Sequence, residues 1–390
     1  MTEFARHAGP KSGLLIGVRP GSPTLLAAMD SLLTDDQLTI TTNAETVDQL
    51  REEIAARGAW VAERVRVTSS LAEVDPADVV IFAEPLTGTA EATRALIDDV
   101  TKHLAEGAVL TVATIAAPGL ADGASAEMMR QTSFYGVGTD LVIRNRPPLR
   151  VHRLRYGAAP VGLADRLGPA TRPSSVPLSR TMNIDSNGIA AAGIALGLAA
   201  TAKLTRRNSK AWLVPALLAA PVAAFFRDPE RNVPDDEHAI VAASDGKVLS
   251  VERLVDTRLG DDEFLRIAVF LSVLDVHVNR SPVAGRVADY FVEDGGFAAA
   301  MKPEAEHNVA AYTVLDTPRG TVVVAQRTGL IARRIVQRAP IGSMLAKGER
   351  FGLIRFGSRT DVYLPATAAE AAVTPGEKVH GGSTVIARWR

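Results

Sequence analysis

Two apolar runs, Ile189 to Ala202 and Ala211 to Phe226, stand near the middle of this 390-residue chain, split by Lys203-Leu204-Thr205-Arg206-Arg207-Asn208-Ser209-Lys210. They separate two regions of different periodicity, and that division limits the folds open to the chain. Each run is shorter than the ~20 residues that cross a bilayer as a straight helix. A shallow or re-entrant helical hairpin, a pair of tilted spans with extra flanking residues, and an alanine-rich hairpin buried on a domain all fit the pattern. The basic connection favours a cytoplasmic side without fixing topology, and Trp212 suits an interface.

Before the runs, strand-like and helix-like segments alternate. Gly13 to Val18, Leu38 to Thr42, Val65 to Thr68, Ala77 to Ala83 and Ala108 to Ile115 read as strands, with helices over Thr24 to Leu33, Val47 to Arg57 and Thr89 to Leu104. Asp140 to Arg144 and Arg150 to Tyr156 read as late strands of antiparallel character. This order predicts an α/β, Rossmann-like domain with a mostly parallel sheet over residues 1–156. Residues 157–187, rich in Pro, Gly, Ala and Ser up to Arg180, read as a linker. Residues 188–226 form the apolar hairpin.

After the runs the pattern changes to short β-branched or aromatic segments broken by Gly, Pro and Asp. Ala239 to Ala243, Gly246 to Val251, Phe264 to Phe270, Gly285 to Phe291, Val309 to Leu315, Gly320 to Gln326, Gly352 to Phe356, Arg359 to Leu364 and Thr384 to Trp389 are the expected strands. They predict a mainly β domain over 227–390, barrel- or sandwich-like. Leu330 to Arg338 fits a short helix or a bent strand, and Pro375 to Gly382 reads as a plain turn.

Composition narrows the chemistry. Cys is absent, so disulfides, thiolate nucleophiles and cysteine metal sites are excluded. No His/Asp/Glu group has metal-ligand spacing, so no metal is expected. The net charge of -1 gives no electrostatic reason for a nucleic-acid partner. The start, Met1 to His7, lacks the apolar run of a signal peptide, which favours a cytosolic N-terminus.

Covalent chemistry must then come from a hydroxyl, an amine or a modified group. Lys347 to Pro365 reads as strand, tight turn and strand, with Gly357 directly before Ser358. A glycine there lets another group approach its carbonyl closely, which self-cleavage at a Gly-Ser bond needs.

Phe356-Gly357-Ser358 resembles the processing site of the phosphatidylserine decarboxylase proenzyme family, in its shorter bacterial and archaeal form. Three further blocks carry the resemblance in family order: Phe225-Phe226-Arg227-Asp228-Pro229-Glu230-Arg231, Ser244-Asp245-Gly246-Lys247-Val248, and Asp275-Val276-His277-Val278-Asn279-Arg280-Ser281-Pro282-Val283-Ala284-Gly285. It covers roughly the second half of the chain.

The resemblance implies cleavage between Gly357 and Ser358, a β chain ending at Gly357, and a short α chain whose Ser358 becomes a covalent pyruvoyl group. The two chains would stay together as a heterodimer at the cytoplasmic face of the cell membrane. Phosphatidylserine would be converted to phosphatidylethanolamine and CO2 through a Schiff base, since the carbanion left by decarboxylation needs an electron sink that ordinary side chains lack.

The resemblance makes Asp245 and His277 the base relay for Ser358, with His277 open to a second role in decarboxylation. Longer members carry a second histidine where this chain has Arg280. His307, Asn308 and Arg280 are implied near the substrate pocket, and Arg227 and Arg231 are candidates for lipid phosphate. Arg333 and Arg334 read as a solvated face, and Gly382-Ser383-Thr384 as a secondary cleavage candidate without the family context.

The first half resembles the class I S-adenosylmethionine-dependent methyltransferase fold, with Asp78 to Leu86 as its fourth strand. Only Gly17 and Gly21 of the glycine-rich loop are kept, Arg19 and Pro20 fill it, and no acidic residue closes the second strand at Thr41-Thr42-Asn43. The resemblance therefore implies a degenerate structural or regulatory domain. Competing readings are a decarboxylase of another amino-bearing lipid, a non-catalytic membrane scaffold, and a methyltransferase acting through the first half.

Overall fold

The computed structural model describes residues 2–117, 119–170, 175–205, 209–330, 334–355 and 358–390. Gly357 and Phe356 of the expected cleavage site lie outside the described residues, as do Arg333, residues 206–208 of the basic connection and 171–174 of the predicted linker. The chain divides into two compact units, Met1–Pro173 with Pro340–Met344, and Ser174–Ala339 with Leu345–Arg390.

The first unit is built on a seven-stranded sheet. Val65–Thr68, Gln37–Thr41, Ser12–Ile16, Ala77–Phe82 and Leu104–Ile115 lie side by side in parallel. Leu149–Leu154 and Gly136–Val142 complete it, both antiparallel pairings. The central strands are near-continuous apolar runs because both faces are covered. Leu25, Ala28, Leu50 and Ile54 pack on one side, and Ile97, Val100 and Met128 on the other. This is the expected mostly parallel α/β sheet, with Ala77–Phe82 fourth in chain order.

Helix Gly123–Tyr135 was not expected. Asp122 caps it, accepting the Ser125 N–H at 3.1 Å, but its buried face includes Ser125, Glu127 and Gln131, which blur an apolar stripe. The Gly17–Ser22 loop has backbone donors already engaged, mostly by neighbouring segments. The Gly17 and Val18 N–H groups donate to the Thr41 carbonyl, Ser22 to Arg19, and Gly21 to the Glu53 carboxylate at 2.9 Å.

The second unit is mainly antiparallel β, as expected. An eight-stranded sheet carries, in its middle, Gly285–Glu293, Ala310–Thr317, Gly320–Arg327, Ser358–Pro365, Glu263–Leu271 and Gly246–Val255. One face presents Leu265, Ile267, Val269, Val322, Val324, Val362 and Leu364 to the main core. Alternation puts Asp361 and Tyr363 on the other face, where Arg327 donates to Asp361 at 2.7 Å and to the Tyr312 and Tyr363 hydroxyls.

The two strands of Lys347 to Pro365 go to different sheets. Arg350–Ile354 pairs with Val278–Arg280 and Ile335–Gln337, whereas Ser358–Pro365 pairs with Glu263–Leu271 and Gly320–Arg327. Ile335–Gln337 also decides the ambiguous segment in favour of a strand.

The apolar runs form helices Ser186–Thr205 and Leu213–Phe225, which pack on each other. The first corrects the expected length: by taking in Ser186–Gly188 and Lys203–Thr205 it reaches 20 residues, about 30 Å of helix, long and apolar enough to cross a membrane. Only 11% of its apolar window is buried, so the buried-hairpin alternative does not describe this element. Ile194, Leu198, Leu204, Val214 and Leu217 are all exposed.

At the hairpin root, Met182–Ile184 and Arg227–Pro229 pair antiparallel. A Cβ at Gly188 would fall 2.6 Å from the Phe226 Cβ, so the close crossing there requires glycine.

Candidate active site

Ser358 opens a central strand, opposite Leu271 on its neighbour, and is fully buried. Its hydroxyl oxygen has no hydrogen-bond partner among the described residues. Leaving a buried hydroxyl unbonded costs about 1–3 kcal/mol, so such an atom calls for a reason.

The Leu271–His277 segment holds the chain at Ser358 and at Ile354. Leu271 pairs with Ser358, and the His277 carbonyl accepts the Ile354 N–H at 3.2 Å. The turn between them is fixed by Asp275, whose carboxylate accepts from the Ser272 N–H and hydroxyl at 2.8 and 2.6 Å.

The His277 ring is buried, with its Nδ1 2.9 Å from the Asp275 carbonyl. A carbonyl only accepts, so Nδ1 carries the proton and Nε2 holds the lone pair. Burial pushes the pKa down to about 4, against the Asp275 hydrogen bond and the charges of Asp275 and Asp245, and with help from Arg227. The imidazole is therefore neutral, and able to act as a base, at physiological pH.

Asp245 lies in the turn before strand Gly246–Val255. The neighbouring Ser244 hydroxyl sits 2.6 Å from that of Thr360, two residues beyond Ser358. Gly246 has φ +149°, and a Cβ there would stand 2.1 Å from the Phe270 carbonyl oxygen, so the turn admits only glycine. Asp245 accepts from Arg231 at 2.7 Å and from the Gly381 N–H at 2.8 Å. Ser358, His277 and Asp245 thus enter from neighbouring segments of one sheet corner, and Asp245 acts on His277 through its charge.

Other expected site residues have internal partners. Arg231 is paired with Asp245 rather than presented as a clamp for lipid phosphate. Arg280 is buried and donates to Asp228 at 2.9 Å and to the Pro229 and Gly348 carbonyls at 2.8 and 3.1 Å. Arg350 also pairs with Asp228, which therefore ties the sequence blocks together.

Asn308 is buried, bonding Ala298 through both its N–H and carbonyl and the Thr328 carbonyl, and so shapes its loop. His307 is exposed. Arg227 donates to the Ala224 and Leu274 carbonyls at the hairpin root.

Residues 375–382 are more than the plain turn expected. Lys378–Val379 forms a short strand beside Gly246, and the Gly381 backbone lies against Ser244. His380, unmarked in the sequence, has its Nδ1 3.6 Å from the Asp245 carboxylate. Phe225 was also missed as a site neighbour; its ring centroid lies 4.3 Å from that of His277.

The family model of phosphatidylserine decarboxylase matches residues 218–387. A phosphatidylserine decarboxylase proenzyme of Carboxydothermus hydrogenoformans is 43% identical over 177 residues, 45% of this chain and 83% of that protein. One from Thermobifida fusca is 40% identical over 235 residues, 60% of this chain and 98% of that protein.

This chain belongs to the phosphatidylserine decarboxylase family.

Arg280, through its bonds to Asp228, Pro229 and Gly348, cross-links the sequence blocks. Among solved structures, a mitomycin 7-O-methyltransferase is similar at 15% identity with a TM-score of 0.32, over 40% of this chain and 52% of that one.

Proposed function

We propose that this chain is a self-processing phosphatidylserine decarboxylase that generates its own pyruvoyl group from Ser358. The observation that carries the reading is the buried Ser358 hydroxyl, without a partner among the described residues, at the corner shared with a neutral His277. The name borne by the relatives supports the substrate.

A serine hydroxyl is a weak nucleophile until a base takes its proton, and the Nε2 of His277 is suited to that task. The oxygen attacks the Gly357 carbonyl carbon, the peptide C–N bond breaks, and an ester with a free Ser358 amine results. Loss of the Ser358 Cα proton then breaks the Cβ–Oγ bond, and Gly357 departs as a carboxylate. Hydrolysis of the remaining dehydroalanine releases ammonia. Asp245 stabilises the imidazolium that forms, and Ser244 with Thr360 holds the new chain end in its strand.

The pyruvoyl group supplies the electron sink for loss of CO2 from an amine-bearing substrate. His277, once protonated, returns a proton to the carbon that CO2 leaves. The α chain begins at residue 358 and the β chain ends at 357, the two staying together through the pairing of Ser358–Pro365 with both neighbouring strands.

The exposed helical hairpin is the membrane attachment, with its root at the cytoplasmic face. Deleting residues 186–226 is expected to move the protein from the membrane to the soluble fraction; unchanged sedimentation with membranes would reject the hairpin as the anchor.

The substrate assignment is tested with vesicles of phosphatidylserine labelled in the serine carboxyl. Wild-type protein should release labelled CO2 and leave phosphatidylethanolamine. Release only from a different aminoacyl lipid would replace the substrate while keeping the chemistry.

A further inference from the structure

We propose that Arg355 holds the phosphodiester of the substrate phospholipid at the root of the helical hairpin, three residues before Ser358. The inference rests on the decarboxylase reading above and adds to it the group that seats the lipid.

The Arg355 guanidinium lies 5.9 Å from the centre of the Phe226 ring and donates through one nitrogen to the Asn187 side chain at 2.8 Å. Its Nε is buried and has no acceptor among the described residues. A charged donor without an acceptor is among the costlier unsatisfied groups in a protein.

The surrounding charge is also unbalanced. Burial disfavours the charge on Arg355 most, and Arg334 and Arg338 are near enough to oppose it as well. Asp185, the carboxylate that favours it, is occupied by both terminal nitrogens of Arg338. The Asp185 carboxylate nearest to Arg355 is thus already engaged by Arg338. A phosphodiester supplies an acceptor for Nε and the missing negative charge together, and arginine binds phosphate oxygens through strong charge-assisted bonds.

A free phosphate would satisfy the same electrostatics. The location favours a lipid, because the exposed apolar surfaces of both helices begin at this root and acyl chains attached to a phosphate held there can lie along them. Arg334 is itself exposed, so it contributes a long-range attraction for an anionic headgroup and screens with salt.

The test uses full-length Ser358→Ala protein, which cannot turn substrate over, titrated calorimetrically with short-chain phosphatidylserine below its micelle concentration and separately with inorganic phosphate. Adding Arg355→Met should weaken lipid binding by about tenfold or more, and Arg355→Lys should recover most of it. Inorganic phosphate should bind at least about tenfold more weakly than the lipid.

Lipid affinity unchanged by Arg355→Met would overturn the assignment, and phosphate binding as tight as lipid binding would turn the site into one for a free anion. Should Arg355→Met fail to fold, Arg334→Gln at the exposed position should lower lipid affinity severalfold and flatten its salt dependence; no change there would likewise overturn the proposal. Labelled CO2 release by the wild type separates the two readings. Release with Arg355-independent binding sinks only this inference, and Arg355-dependent binding without release sinks only the decarboxylase.

Discussion

Replacing Ser358 with alanine is expected to leave a single uncut chain of 390 residues and to reduce decarboxylation to the uncatalysed background. Wild-type protein should instead yield fragments of 357 and 33 residues. The expected effect is total, because the substitution removes both the nucleophile for cleavage and the atoms from which the electron sink is made.

Physical grounds argue against misfolding as a confounder. The lost oxygen is buried and makes no hydrogen bond among the described residues, so its removal should leave stability unchanged or raise it by about 1 kcal/mol. Thermal melting of the two proteins under conditions that prevent cleavage checks this. A Ser358→Ala chain that still splits at wild-type rate would reject Ser358 as the processing residue.

The second large effect belongs to His277. His277→Leu should slow self-cleavage by about a hundredfold to ten-thousandfold, the usual range for loss of a general base. In the wild type the cleavage rate should stay level as pH falls from 8 to 5, then drop near pH 4 as Nε2 takes a proton. An inflection near 6.5 would reject the buried His277 ring as the base.

The same shift has a stability consequence of definite sign. The folded pKa is depressed, so on acidification the unfolded chain takes its proton first, and stability present above pH 6.5 is lost between 6.5 and about 4. The loss for this one group is on the order of 3 kcal/mol. His277→Leu should remove that part of the acid sensitivity in melting curves of the second unit; an unaltered acid slope would contradict the buried, neutral state of the ring.

The local elements were legible in the sequence because each is written in short-range patterning. Alternating β-branched runs gave Ala310–Thr317 and Gly320–Arg327, and continuous apolar runs gave Ser12–Ile16 and Ala77–Phe82. Helix Gly123–Tyr135 escaped because its buried face includes polar residues that only its neighbours explain: Glu127 is held by Arg94 and Arg130.

Partners across long separations were not legible. Arg231 and Asp245, or Phe225 and His277, meet only once the chain has folded. The motif blocks marked Asp228 and Arg280 without revealing that they bind each other, so a residue read as pocket-facing proves to be a buried cross-link. Arg355 carried no motif signal at all. Its interest comes from a nitrogen without an acceptor among the described residues and from neighbours of like charge, neither of which exists before the chain folds.

The most direct measurement is the intact mass of purified, catalytically active wild-type protein, taken before and after treatment with a hydrazide that captures ketones. The account predicts two masses divided at residue 358, with the hydrazide adding to the smaller fragment alone and abolishing CO2 release. A single unreacted mass of the whole chain in a preparation that still decarboxylates would contradict it.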